Sequence, residues 1–142
     1  MGISKGTAQW DGTIKGGKGT MKPDHGGDVP FSFVSRFEGQ PSSNPEELIG
    51  AAFAGCFSMA LSSNLEKAGA TPKSIRTTAN VKLDKGAEGF SITAIELVSQ
   101  VEASGIDADK FQTVAEQTKK GCPVSKALAS VPEITLRATL SS

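Results

Sequence analysis

The chain has no net charge, because 15 Lys and Arg offset 15 Asp and Glu. A neutral chain sets up no long-range field that gathers nucleic acid or an anionic membrane. It also lacks a cluster of basic residues. Lys15-Gly16-Gly17-Lys18 is the densest stretch and reads as a turn. Histidine is almost missing. The single His25 sits in the loop-like Pro23-Asp24-His25-Gly26-Gly27, which leaves no plausible Ser-His-Asp arrangement. One histidine and two distant cysteines also make a poor tetrahedral zinc set, so no metal and no cofactor is expected. Long apolar runs are lacking too. The longest is shorter than the ~20 residues that span a bilayer. The start, Met-Gly-Ile-Ser-Lys-Gly, has none of the apolar character of a signal peptide. A soluble, cytoplasmic protein is expected, with neither a membrane nor a nucleic-acid partner. There is no internal repeat or low-complexity tract, and residues 1–142 read as one domain.

What is present is an alternation of strand and helix signals. Thr7 to Trp10 and Thr13-Ile14 flank Asp11-Gly12, a hairpin signal. A loop follows from Met21 to Pro30, then a strand over Phe31–Phe37 and a loop to Ser43. Asn44-Pro45-Glu46-Glu47 is a helix start. Asn44 can accept an unpaired N–H, Pro45 suits the first helical position, and the two carboxylates complement the dipole. The helix is predicted to run to Ala68 and stop at Gly69. From Leu48 to Leu61 it is apolar almost all round, which predicts burial on nearly every side. A domain this small hardly surrounds a helix alone, so a partner subunit is inferred. Two alternating runs, Ser74–Leu83 and Ser91–Val101, read as a hairpin. Helices over Asp107–Lys120 and Pro123–Ala129 and a last strand over Glu133–Leu140 complete an α+β pattern of antiparallel sheets.

The segment Gly12 to Gly19 has the glycine spacing of a phosphate loop, but Gly19 replaces the hydroxyl residue and no helix pattern follows. The chemistry therefore falls to Cys56 and Cys122. Cys122 precedes Pro123, which suits a helix cap where unpaired N–H groups favour thiolate. A small residue at a helix junction is the plainer reading. Cys56 lies mid-helix among apolar residues, where a thiol is ordinarily inert unless a cation reaches it. Arg36 is a candidate cation, placed by strand alternation on the face opposite Phe37; a merely exposed strand arginine is the plainer reading. Glu46 and Glu47 are already accounted for as first-turn carboxylates.

Several segments together resemble one family. They are Ala8-Gln9-Trp10-Asp11-Gly12 with Lys18-Gly19-Thr20, Arg36-Phe37-Glu38-Gly39, the run from Asn44 through Cys56 to Leu61, and Gly121-Cys122-Pro123-Val124-Ser125. The chain is similar to the OsmC/Ohr family of osmotically inducible and organic hydroperoxide resistance proteins. The wording of Glu46 to Gly50 and of Pro123 to Ser125 favours the osmotically inducible branch. The resemblance implies a single OsmC-like domain over 1–142, with antiparallel sheets around a long buried central helix. It implies an intertwined homodimer with sites at the subunit interface. It further implies a thiol peroxidase acting on hydroperoxides, organic ones especially, regenerated by a dithiol such as a lipoyl-bearing protein. By position, Cys56 matches the peroxide-attacking cysteine and Cys122 the resolving one. Arg36 matches the arginine that stabilises the thiolate, and Glu46 the carboxylate that orients it. A different class stays open: a non-enzymatic redox sensor or binding dimer that meets peroxide only stoichiometrically.

Overall fold

The computed structural model describes residues 2–142. The chain forms two compact units, the first ending at Leu48 and the second running Ile49–Ser142.

In the first unit, β1 (Gly6–Asp11), β2 (Lys18–Pro23) and β3 (Val29–Phe31) form an antiparallel sheet in that order. The Asp11-Gly12 signal does reverse the chain, but Asp11 pairs with Lys18 rather than with Thr13. Residues 12–17 form a loop, closed by the Gly17 N–H donating to the Thr13 carbonyl at 2.8 Å. A strand, not a helix, follows it, so the phosphate-loop reading fails on geometry. Gly19 lets two rings approach: a Cβ there would lie 2.5 Å from the Phe31 ring and 2.7 Å from the Trp10 ring.

The strand predicted over Phe31–Phe37 is overturned. β3 ends at Phe31, and α1 (Phe33–Phe37) follows. The Ser35 N–H donates to Ser32 Oγ at 3.2 Å, and the Ser32 N–H donates to Ser35 Oγ at 2.8 Å. This reciprocal cap satisfies two end donors and wins over the strand preference of the phenylalanines. Arg36 therefore stands on a helix, and the alternation argument that placed it opposite Phe37 does not apply.

Helix α2 (Pro45–Lys67) starts as predicted, with Asn44 Oδ1 accepting the Glu47 N–H at 2.9 Å. It ends at Gly69, whose φ of 88° favours glycine. The second unit continues with β4 (Thr71–Gly86) and β5 (Gly89–Ser104), a long hairpin. Next come α3 (Ala108–Gly121), capped by the Asp107 side chain, and α4 (Pro123–Ala127). The last strand, β6 (Glu133–Ser141), pairs with β5 in parallel, giving the order β4-β5-β6. The expectation of purely antiparallel sheets is corrected here. α3 and α4 carry the chain back to the starting end of β5, and a crossover of that length permits parallel pairing.

Helix α2 packs on this sheet and on α3. Phe53, Phe57, Leu61 and Leu65 recur every fourth residue and are fully buried, with Ile95, Leu97 and Val101 of β5 and Phe111 and Ala115 of α3. Gly50 allows close approach: a Cβ there would meet the Ala79 carbonyl at 3.1 Å. Ser58 Oγ donates to Thr77 Oγ1 at 2.7 Å, and Thr77 bonds Ser99 at 2.9 Å. Burial is confined to a stripe, because one sheet and one helix cover only one side. Ala51, Ala52, Gly55 and Met59 are exposed, Met59 at 77%. Within a single chain, burial on nearly every side is therefore not realised. By length and composition alone, α2 would also cross a membrane, contrary to the run-length argument from sequence. Its packed stripe is that of a core helix.

Candidate active site

Cys56 lies in the middle of α2, half-buried against the core of the second unit. Cys122 is both the residue that closes α3 and the one that opens α4. Its N–H donates to the Thr118 carbonyl at 3.2 Å, and its carbonyl accepts the Lys126 N–H at 3.1 Å. Only 2% of Cys122 is exposed. Both cysteines are free thiols, and Cys56 lies near enough to Cys122 in the core to raise its proton affinity. Two cysteines far apart in sequence thus meet in the core.

Burial pushes the Cys122 thiol above its ordinary range, and the neighbouring Cys56 pushes it further the same way. The N–H groups of Ser125 and Val124 pull it back, though the side chain makes no full capping hydrogen bond. The helix-end effect expected from sequence is present but loses. A helix of five residues has too few aligned peptides to overcome removal of a thiolate from water. Cys122 is held as a thiol, the reverse of the acidic thiol its cap position suggested.

Arg36 and Glu46 meet in the first unit. Arg36 Nη2 donates to Glu46 Oε1 at 2.6 Å and Nε donates to the same oxygen at 3.1 Å. The Glu46 side chain is 8% exposed and that of Arg36 35%. The guanidinium also lies over the Phe37 ring, 5.3 Å from its centroid. Orientation thus comes from a buried carboxylate on one side and an aromatic face on another. The four expected residues form two pairs, Arg36 with Glu46 and Cys56 with Cys122. Glu46 and Cys56 belong to one helix but sit ten positions apart, about 15 Å along its axis. Phe53 and Phe57, one turn or less from Cys56 on the same helix, are fully buried core residues. Among the described residues, no three of His, Cys, Asp and Glu are grouped to hold a metal.

The family model described as OsmC-like protein matches residues 38–137. The chain belongs to the OsmC-like family. Glu46, Cys56 and Cys122 fall inside the matched stretch, and Arg36 falls just before it. Peroxiredoxin OsmC of Escherichia coli K12 is 54% identical over 140 residues, covering 97% of this chain and 96% of that protein. Organic hydroperoxide resistance protein OhrB of Bacillus subtilis is 30% identical over 123 residues, covering 81% and 85%. The lower second value agrees with the osmotically inducible branch. Among solved structures, an OsmC-like protein of Vibrio cholerae superposes with a TM-score of 0.76. It is 18% identical and covers 98% of this chain and 100% of its own, a likeness of fold.

Within this OsmC-like fold, sequence reasoning passed over two polar residues that join α2 to α3, Asn64 and Thr118. Asn64 Nδ2 donates to Thr118 Oγ1 at 2.9 Å. One signal was available: an amide inside a largely apolar helix needs a partner when buried.

Proposed function

We propose that this chain is a thiol-dependent peroxidase that reduces organic hydroperoxides. The observation that carries the reading is that two free thiols are neighbours in one core cluster of a chain closely similar to a peroxiredoxin. Cys56 attacks the distal oxygen of the hydroperoxide as a thiolate. The O–O bond breaks, an alcohol leaves, and Cys56 becomes a sulfenic acid. Cys122 then condenses with it to a disulfide, which blocks over-oxidation. An external dithiol, such as a lipoyl-bearing protein, restores both thiols by exchange. Arg36 is assigned the stabilisation of the Cys56 thiolate, and Glu46 the orientation of Arg36.

The reading includes a homodimer with the sites at its interface. The exposed small residues Ala51, Ala52 and Gly55, together with Met59, form an apolar face on α2 that a second copy would cover. It also includes a cytoplasmic location, where reducing conditions keep a cysteine pair catalytic rather than structural.

Steady-state turnover with cumene hydroperoxide and dihydrolipoamide tests the proposal. Many equivalents of peroxide consumed per subunit are expected. Consumption that stops at one equivalent, with dithiol still present, would leave the stoichiometric sensor as the better reading.

A further inference from the structure

Asn64 and Thr118 make a side-chain link between α2 and the end of α3, and the neighbouring Cys56 and Cys122 make a second pairing of the same two stretches. On α2, Cys56, Ala60 and Asn64 follow at intervals of four, along one stripe of the helix. On α3, Thr118 lies one turn before Cys122. The links run antiparallel: the later residue of α2, Asn64, meets the earlier residue of α3, Thr118. Ala60 lies between them on α2, and its small side chain permits close approach of the two helices.

Thr118 is tied by three hydrogen bonds. Its hydroxyl donates to the Val114 carbonyl at 2.8 Å, so the same oxygen meets Asn64 as an acceptor. The Asn64 amide supplies the matching N–H at 2.9 Å. The Thr118 carbonyl accepts the N–H of Cys122 at 3.2 Å. Thr118 is 1% exposed, so no bulk water competes for these bonds. One buried residue thus grips the Cys56 helix with its side chain and Cys122 with its backbone.

We propose that Asn64 and Thr118 are positioning residues for the resolving step. The proposal rests on the roles assigned above to Cys56 and Cys122. In that step the Cys122 sulfur attacks the sulfenic sulfur of Cys56. An S–S bond forms and the S–OH bond breaks. The thiol proton leaves with the hydroxide as water, and no further oxidant is needed. The sulfurs must close to a bond of about 2.05 Å. A slip of one helix along the other by about 1 Å can slow such a step up to ~100-fold. A second peroxide molecule competes for the waiting sulfenic acid and converts it to sulfinic acid. The Asn64–Thr118 bond therefore acts on the choice between resolution and over-oxidation. The first step, peroxide attack on Cys56, does not involve Cys122 and is not governed by this bond.

The test separates the two steps. Reduced protein is mixed with one equivalent of cumene hydroperoxide. Peroxide loss and disulfide appearance are followed independently, the latter by acid quench and peptide mass. In Asn64→Leu and Thr118→Val, peroxide loss is expected within about twofold of the parent. Disulfide formation is expected to be ~10- to 100-fold slower, and excess peroxide should drive Cys56 to sulfinic acid. Thr118→Ser keeps the hydroxyl and should resolve at the parental rate. Disulfide formation at the parental rate in both Asn64→Leu and Thr118→Val overturns the proposal, as does Thr118→Ser slowed as much as Thr118→Val. Should Asn64→Leu fail to fold, the Thr118→Val and Thr118→Ser pair decides alone, since valine keeps the volume. A parent that forms no Cys56–Cys122 disulfide removes the assigned roles and this proposal together. A parent that forms it while the variants keep pace removes only the positioning.

Discussion

The Arg36–Glu46 pair predicts an asymmetric pattern of stability. The two side chains differ sharply in exposure, 35% for Arg36 and 8% for Glu46. Arg36→Ala leaves a carboxylate in a buried site without the donors at 2.6 and 3.1 Å. Orphaning a fully buried charge costs about 3–5 kcal/mol. Partial exposure of the arginine moderates this, because water enters the space it vacates, so about 2–3 kcal/mol is expected. Glu46→Gln is gentler. The amide oxygen still accepts one N–H, and the part-exposed guanidinium recovers water, which gives about 1 kcal/mol. The double variant should lie close to Arg36→Ala alone, with a coupling of about 1 kcal/mol. Urea unfolding of all four proteins at one protein concentration measures the cycle. In thermal melts the Arg36→Ala loss corresponds to a drop of roughly 6–10 °C. Activity supplies a second readout, because both variants should slow peroxide attack near neutral pH. If Glu46→Gln destabilises as much as Arg36→Ala, burial is not what makes the carboxylate depend on the arginine. A coupling below about 0.3 kcal/mol would show that the contact is not energetically real.

Cys56→Ser should abolish peroxide consumption, while Cys122→Ser should complete one turnover and leave Cys56 as sulfenic acid; the opposite pattern in a single-turnover assay reverses the roles. The raised Cys122 thiol makes the reduced protein sensitive to alkali. Its folded form holds the proton more tightly than its unfolded form. The stability it lends is complete below the ordinary thiol range, ~8.5, and is lost as pH rises through the higher native value. The urea midpoint should fall from pH 8 to pH 10 in the parent and fall less in Cys122→Ser; equal slopes would contradict this. Met59→Glu should weaken the proposed dimer, seen as a concentration-dependent monomer in sedimentation, since it puts a charge on the exposed apolar face of α2.

The parts of the fold that could be read from sequence are those fixed locally. Asn44-Pro45-Glu46-Glu47 starts α2 through a cap completed within four residues, and Gly69 ends it through a backbone conformation that few other residues adopt. The misreadings arose where two local signals competed or where the deciding partner was remote. Ser32 and Ser35 cap each other without the usual Glu or Gln, so the phenylalanines suggested a strand. The parallel β5–β6 pair depends on how α3 and α4 return the chain, which no window of sequence contains. The site followed the same rule. Arg36 with Glu46 and Cys56 with Cys122 were named by family resemblance, while residue patterns alone left each with a plain structural explanation.

In the proposed mechanism, the protonation of Cys122 bears on how two neighbouring thiols divide the work. A nucleophile for peroxide must be ionised before the substrate arrives, whereas a resolving thiol need only lose its proton as it attacks. Burial and the neighbouring Cys56 keep the proton on Cys122, against the pull of the Ser125 and Val124 N–H groups. Two thiolates side by side would repel, so a site that ionises one sulfur holds the other neutral. The retained proton also completes the chemistry. Condensation of a thiol with a sulfenic acid releases water, and the leaving hydroxide needs one proton. In a core where Cys122 is 2% exposed, that proton is best supplied by the attacking thiol itself. A Cys122 ionised early would repel the thiolate that the proposed attack requires of Cys56, and would arrive without a proton after it. The placement that defeats the helix-end effect at Cys122 is thus the one that suits the resolving role proposed for it.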